Sequence, residues 1–358
     1  MTILAPFCYD DRGRAYFAAD GPELYAYSGV DDSPLWKDFA QGILVGLAIS
    51  GDQVFGVDTD GRLVQWRLFD GAVARVTEHG VSCRAIATDP HGACALLTDY
   101  GVRVVAANGS YVDVNVPEAS CVGRDASGGR VLVGTLQGSV LWVDPSSGQV
   151  LGQLHVGGPV RSIAWSSQGT WVVGAGSTLC SVSADGLEAS VTGIVPVGGG
   201  IRDVSVSADG WLYAVIVDDT SVALFAVVGG EQLARVEYTR NVGQIAFGPD
   251  TWLGIALEYA DTNRVELGTG CLTRNSPGLG RSSDPWRTDL KMDAARVRGA
   301  LARSRAGGSP VAQQVERPKP GVYEEKKRPA WLIPAIVAGV ISLVCGCSGC
   351  CGLFAYLR

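Results

Sequence analysis

Residues 160–173 read VRSIAWSSQGTWVV, an alternating apolar run, a Ser/Gly turn and a second apolar run. The same template returns in IRDVSVSADGWLYAV (201–215) and VGQIAFGPDTWLGIA (242–256). More diverged copies are APFCYDDRGRAYFAA (5–19), LVGLAISGDQVFGV (44–57), CRAIATDPHGACALL (83–97) and SCVGRDASGGRVLVG (120–134). Successive strand side chains point to opposite faces, so this alternation reads as half-buried strands and fits a helical period poorly. Val, Ile, Trp and Tyr dominate the runs, as suits a pleated surface. Seven units, starting near residues 2, 41, 81, 117, 158, 199 and 240, repeat with a period of about 40. That period, with four strand-like runs per unit, predicts an all-β fold: a seven-bladed β-propeller over residues 1–277. One unit cannot bury its own sheet faces, so the units must close into a ring.

The stretch GSVLWVDPSSGQVLGQLHVGGPVRSIAWSSQGTWVVGAG (138–176) resembles a blade boundary of the WD-repeat family. A Gly-led third strand ends at Trp142 with Asp144 close by, and His155 precedes the next first strand. DGRLVQW places Trp66 where such repeats carry their tryptophan, and His79 approximates the same histidine position. The resemblance covers the first three-quarters of the chain. No unit keeps an intact Trp-Asp pair: Arg67 follows Trp66, and Val143 separates Trp142 from Asp144. The resemblance implies a propeller that binds protein partners.

Charge is unevenly distributed. Residues 1–278 hold 16 Lys+Arg against 30 Asp+Glu, a net of −14, whereas residues 279–329 hold 12 against 6, a net of +6. An acidic body opposes binding to nucleic-acid phosphates. The N-terminus MTILAPFCYDDRGRAYF lacks a basic segment followed by a long apolar run, so the propeller is expected in the cytoplasm with reduced thiols. Its six cysteines (Cys8, Cys83, Cys94, Cys121, Cys180 and Cys271) are scattered singly, without metal-ligand spacing.

No catalytic residue emerges. His79, His91 and His155 fall in different units, VGGG at 197–200 lacks the lysine and helix of a phosphate loop, and no serine has a nucleophile-elbow context. Neither a metal nor a cofactor is implied. The residues that share a structural position are arginines: Arg84, Arg161 and Arg202 each stand eight residues before the glycine of the first turn. That position is the start of the innermost strand, at the mouth of the axial channel. The loops between second and third strands carry Asp20, Asp58 with Asp60, Asp99, Asp218 with Asp219, and Asp261, on the same face. Arg84, Arg161, Arg202, Asp58, Asp60, Asp99, Asp218 and Asp219 are therefore the candidate partner-binding residues. The alternative is structural: Asp suits tight turns, and the arginines tie adjacent blades by salt bridges.

Beyond residue 277 the pattern changes. SSDPWRTDLKMDAARVRGALARSRAGG (282–308) reads as one basic amphipathic helix, capped at Asp284-Pro285 and ended at Gly307-Gly308. Trp286, Leu290, Ala294, Val297 and Leu301 form its apolar stripe. A Pro-containing spacer follows. Residues 330–357 carry no charge; as a helix they would span roughly 40 Å, beyond the ~30 Å hydrocarbon core. Lys326, Lys327 and Arg328 precede the run, which orients it as a C-terminal single-span anchor of a cytoplasmic propeller. Trp331 and Tyr356 fall at the two interfaces. Ala335, Gly339, Gly346 and Gly349, among Cys345, Cys347, Cys350 and Cys351, supply small residues for helix–helix contact and possible homo-oligomerisation. The expected function is a membrane-tethered scaffold recruiting protein partners. The competing readings are a small-ligand sensor or enzyme using the axial channel, and an assembly factor of a membrane complex.

Overall fold

The computed structural model describes residues 6–275 except 11, 126, 167–168, 186–187, 228–229, 249–251, 258–261 and 268–270, together with 289–292, 297, 299 and 302. Its strands are grouped in sequence order into seven antiparallel sheets. The first is β1 (Phe7–Tyr9), β2 (Ala15–Asp20), β3 (Glu23–Ser28) and β4 (Pro34–Phe39); the second is β5 (Leu44–Ser50), β6 (Gln53–Asp58), β7 (Arg62–Arg67) and β8 (Val73–Glu78). The third is β9 (Cys83–Thr88), β10 (Cys94–Thr98), β11 (Gly101–Val105) and β12 (Tyr111–Asn115). The fourth is β13 (Ala119–Arg124), β14 (Val131–Thr135), β15 (Ser139–Val143) and β16 (Val150–His155). The fifth is β17 (Val160–Trp165), β18 (Trp171–Ala175), β19 (Thr178–Asp185) and β20 (Glu188–Pro196). The sixth is β21 (Ile201–Val206), β22 (Leu212–Val217), β23 (Ser221–Ala226), β24 (Gln232–Glu237) and a late strand, β29 (Asp289–Met292). The seventh is β25 (Val242–Phe247), β26 (Trp252–Leu257), β27 (Thr262–Glu266) and β28 (Cys271–Asn275).

The first strands of consecutive sheets lie side by side, β1 against β5, β5 against β9 and onward to β25, which returns to β1. The result is a closed all-β propeller around an axis lined by these innermost strands. Burial follows from that geometry. The second strands β10, β14 and β18 are buried along their whole length, because a sheet covers each face, and so they read as continuous apolar runs. The outermost β4 and β8 alternate between exposed and half-buried residues. Apolar cores fill the gaps between blades; Phe17, Leu24, Leu44, Leu47, Trp66 and Leu68 form the one joining the first two.

Polar ties between blades supplement this packing. Ser162 Oγ accepts the Val204 N–H at 3.1 Å, Asp203 Oδ2 accepts the Ile245 N–H at 3.2 Å, and Gln244 Oε1 accepts the Phe7 N–H at 2.8 Å. In each case a side chain near the start of one innermost strand satisfies a backbone donor of the next blade. The third of these bonds joins the last blade to the first. The first and the seventh blade are each one contiguous piece of chain, so no strand is shared across that junction and its closure rests on such contacts.

The segment after the propeller differs from the expected single helix. Asp289–Met292 is β29, antiparallel to β24, with Leu290 opposite Val236 and Lys291 opposite Arg235. Among the described residues beyond it, 297, 299 and 302 are helical. The physical reason is tertiary: the outer edge of β24 offers unpaired backbone groups, and Asp289–Met292 adds to that edge as a strand. Val297 is buried with Leu233, Tyr238 and Leu267 in the core between the sixth and seventh blades. β29 and Val297 are thus built onto the propeller wall. The described residues all fall within one compact unit, Met1–Ala312. Among the described residues no helix is long and apolar enough to cross a membrane. The expected span, with Trp331, Ala335, Gly339, Gly346, Gly349 and Tyr356, lies outside the described residues, as does Asp261.

Candidate functional site

Six innermost strands begin with the same irregularity. In β9, Cys83 pairs with Thr98 and Ala85 with Leu97, so Arg84 has no partner in the register. The equivalent residues are Val45, Ser120, Arg161, Arg202 and Gly243. A bulge of this kind re-aims one side chain at the rim of a sheet. Arg84, Arg161 and Arg202 therefore occupy one repeated position at the channel mouth. Antiparallel connectivity puts the loops between second and third strands, and those leading into each new blade, at this same end. Backbone bonds connect them: the Leu44 N–H donates to Gly21 O, Ile201 N–H to Gly176 O and Val242 N–H to Asp219 O.

The three arginines have different surroundings. Arg84 Nη2 donates to Thr98 O at 2.7 Å in its own blade and to Ala119 O at 2.9 Å in the next, with Nε 3.5 Å from Asp99. It ties two blades together, through a backbone carbonyl and not through an inter-blade salt bridge. Ser120 does the same, its Oγ donating to Gly134 O and Val160 O. Arg202 Nη1 lies 2.7 Å from Asp219 Oδ1 of its own blade. Arg161 is exposed and has no hydrogen bond or ion pair among the described residues; its blade turns through Gly176-Ser177, without an acid.

The aspartates also separate. Asp58 is fully buried, and its Oδ1 accepts the N–H groups of Asp60 and Arg62 at 3.0 and 2.8 Å. It holds its own turn and presents nothing to a partner. Asp218 accepts the Gly200 N–H at 2.7 Å, and both Asp218 and Asp219 adopt positive φ, 48° and 65°. Asp60, Asp99, Asp218 and Asp219 are exposed, and so is Asp20, whose carboxyl is raised by partial burial and by Glu23. Sequence reasoning missed the apolar members of this face. Tyr100 (79% exposed) and Leu136 (41%) stand in the second-to-third-strand loops of the third and fourth blades. The signal was present in TDYG and TLQG, where a large apolar residue takes a turn position usually given to a polar one.

No protein-family model matches the chain, and no curated protein matches it. Solved structures do. The β-propeller domain of Myceliophteria thermophila Cps50 (Swd1) superposes with a TM-score of 0.64 at 14% identity, over 72% of this chain and 95% of that one. A chain of the Mitotic Checkpoint Complex gives 0.61 at 12% identity, over 71% and 87%. The RRP9 WD40 repeats give 0.54 at 14%, over 59% and 72%. The fold is that of a WD40 β-propeller.

Within this propeller fold the tryptophans that carry the resemblance are packing groups. Trp66 is fully buried, and its Nε1 donates to Asp38 Oδ2 of the preceding blade at 2.6 Å. Trp142 is buried likewise, and a Cβ on Gly152 would come within 2.7 Å of its ring. His79 is buried, its pKa lowered by desolvation and by Arg103, while its carbonyl accepts from Arg103 Nη1 at 2.6 Å. Among the described residues no group of three His, Cys, Asp or Glu side chains is placed to hold a metal. Cys83, Cys94, Cys121 and Cys180 are buried, and burial pushes the Cys83 thiol up to about 11 and those of Cys94 and Cys121 to about 12. Such thiols are poor nucleophiles at neutral pH. In the axial channel Asp203 is raised by burial, against hydrogen bonds from Ser162, Ile245 and Val204 that pull it down. Both its oxygens are occupied by protein donors.

Proposed function

We propose that this protein is a non-enzymatic, membrane-tethered interaction scaffold whose cytoplasmic WD40 propeller recruits protein partners through its channel-mouth face. The observation that carries the reading is Tyr100, a large side chain held 79% exposed at the tip of a β-hairpin. Exposed aromatics on rigid loops are typical anchors of protein interfaces. Leu136 on the next blade and the exposed acids Asp60, Asp99, Asp218 and Asp219 give the same face a mixed apolar and charged surface. One structure of like fold belongs to a multiprotein assembly, the Mitotic Checkpoint Complex, which supports the class of function without naming a partner. The tether is read from the uncharged residues 330–357. Confinement to a bilayer raises local concentration, so modest affinity at the face suffices for recruitment.

Affinity capture of the full chain from its own membrane in mild detergent tests this, with Tyr100→Ala/Leu136→Ser run beside the natural chain. A stoichiometric partner should fall roughly tenfold in the variant, as expected for loss of an interface anchor. Equal recovery of every partner by both chains would remove the channel-mouth face from the function.

A further inference from the structure

We infer that Arg161 is the receptor point of this face for an acidic side chain, a carboxylate or phosphate, of the protein partner; the inference rests on the scaffold reading above. Three arginines share the bulge position, and two are already engaged. Arg84 is held by two carbonyls beside Asp99, and Arg202 by Asp219. Arg161 alone of the three has no polar partner among the described residues, and it is exposed.

Its surroundings fit this use. The loops around it, 135–138, 156–159, 176–177 and 197–200, contain no charged side chain. The face elsewhere is acidic, with Asp20, Asp60, Asp99 and Glu118 over the first three blades and Asp218 and Asp219 on the sixth. Glycines keep the rim low here. A Cβ on Gly138 would stand 2.9 Å from Gly158 O, and one on Gly158 would stand 3.2 Å from Gly176 N, so these three backbones pack directly on one another. A partner therefore meets a cation set among bare backbone, flanked by acidic sectors. The complementary ligand is a segment with an acidic residue for Arg161 and basic residues on either side. Charges placed this way select partners by register more than by raw affinity. Leu136, exposed on the adjoining blade, offers an apolar contact to the same segment.

The test selects binding peptides from a displayed library of random twelve-residue sequences on the full chain in detergent. The natural chain is run beside Arg161→Gln and Arg161→Lys, with a second library carrying a fixed phosphoserine. The natural chain and Arg161→Lys should enrich an acidic position flanked by Lys or Arg. The selected peptides should bind Arg161→Gln about tenfold more weakly. A preference confined to the phosphoserine library would assign the phosphate as the ligand. Peptides that bind natural chain and Arg161→Gln equally would overturn the inference while leaving the scaffold reading in place. Failure to enrich any peptide on a folded chain would count against both.

Discussion

Arg124→Met is expected to destabilise the propeller by about 3 kcal/mol, lowering its thermal midpoint by roughly 5–10 °C. Arg124, at the end of β13, donates through Nη2 to Asp89 Oδ2 of the preceding blade at 2.6 Å, and both side chains are almost wholly buried, 4% and 3% exposed. Removing the guanidinium leaves the carboxylate in a low-dielectric gap between two blades. The cost falls at the lower end of what breaking a buried pair produces, because Asp89 Oδ1 keeps the N–H groups of His91 and Ala93 at 2.8 and 3.0 Å. The pair is itself poorly satisfied: Arg124 Nε and Nη1 are buried without a hydrogen-bond partner among the described residues. Arg124→Met/Asp89→Asn should therefore recover most of the loss, since Asn retains the turn acceptor while both charges leave together. Thermal unfolding of the three chains decides it. A single variant as stable as the natural chain would show that the pair contributes nothing to holding the blades.

Trp66→Ala should cost more, about 3–5 kcal/mol. The ring is fully buried in the core shared by the first two blades, among Leu24, Leu44, Val54 and Leu68. Its fit is close: a Cβ on Gly56 would lie 2.7 Å from Trp66 Cζ3. A loss of that size is a large share of the 5–15 kcal/mol that holds an ordinary domain together. Trp66→Phe keeps most of the buried area and loses the Nε1 bond to Asp38, so it should cost about 1–2 kcal/mol. Denaturant titration of the two variants gives the ordering; a Phe variant as damaged as Ala would mean that the polar bond outweighs the packing.

What could be read from residue order was whatever depends on neighbours along the chain. Period-two alternation and recurrent Gly/Asp turns revealed the strands, because pleat and turn geometry are local. The constant eight-residue spacing from Arg84, Arg161 and Arg202 to the next glycine marked one repeated position, because strand and turn together have a fixed length there. The bulge at that position was hidden, since it depends on register against the second strand. So was the division of labour among the arginines, because Thr98 O, Ala119 O and Asp219 reach them only through folding. Asp58 looked like its exposed neighbours, yet the packing of its blade against the loop before it withdraws it from the surface. The stretch around residue 290 misled for the opposite reason. Its caps and apolar stripe favour a helix locally, but the edge of β24 supplies a ladder that no local signal shows.

The most direct measurement places a photoreactive amino acid at Tyr100, at Arg161 and, as a control on the opposite end of the propeller, at Phe69, in the full chain within its own membrane. The account predicts a defined cross-linked partner from positions 100 and 161 and none from 69. Cross-links confined to position 69, or the same products from all three, would contradict the claim that the channel-mouth face is where this propeller meets its partners.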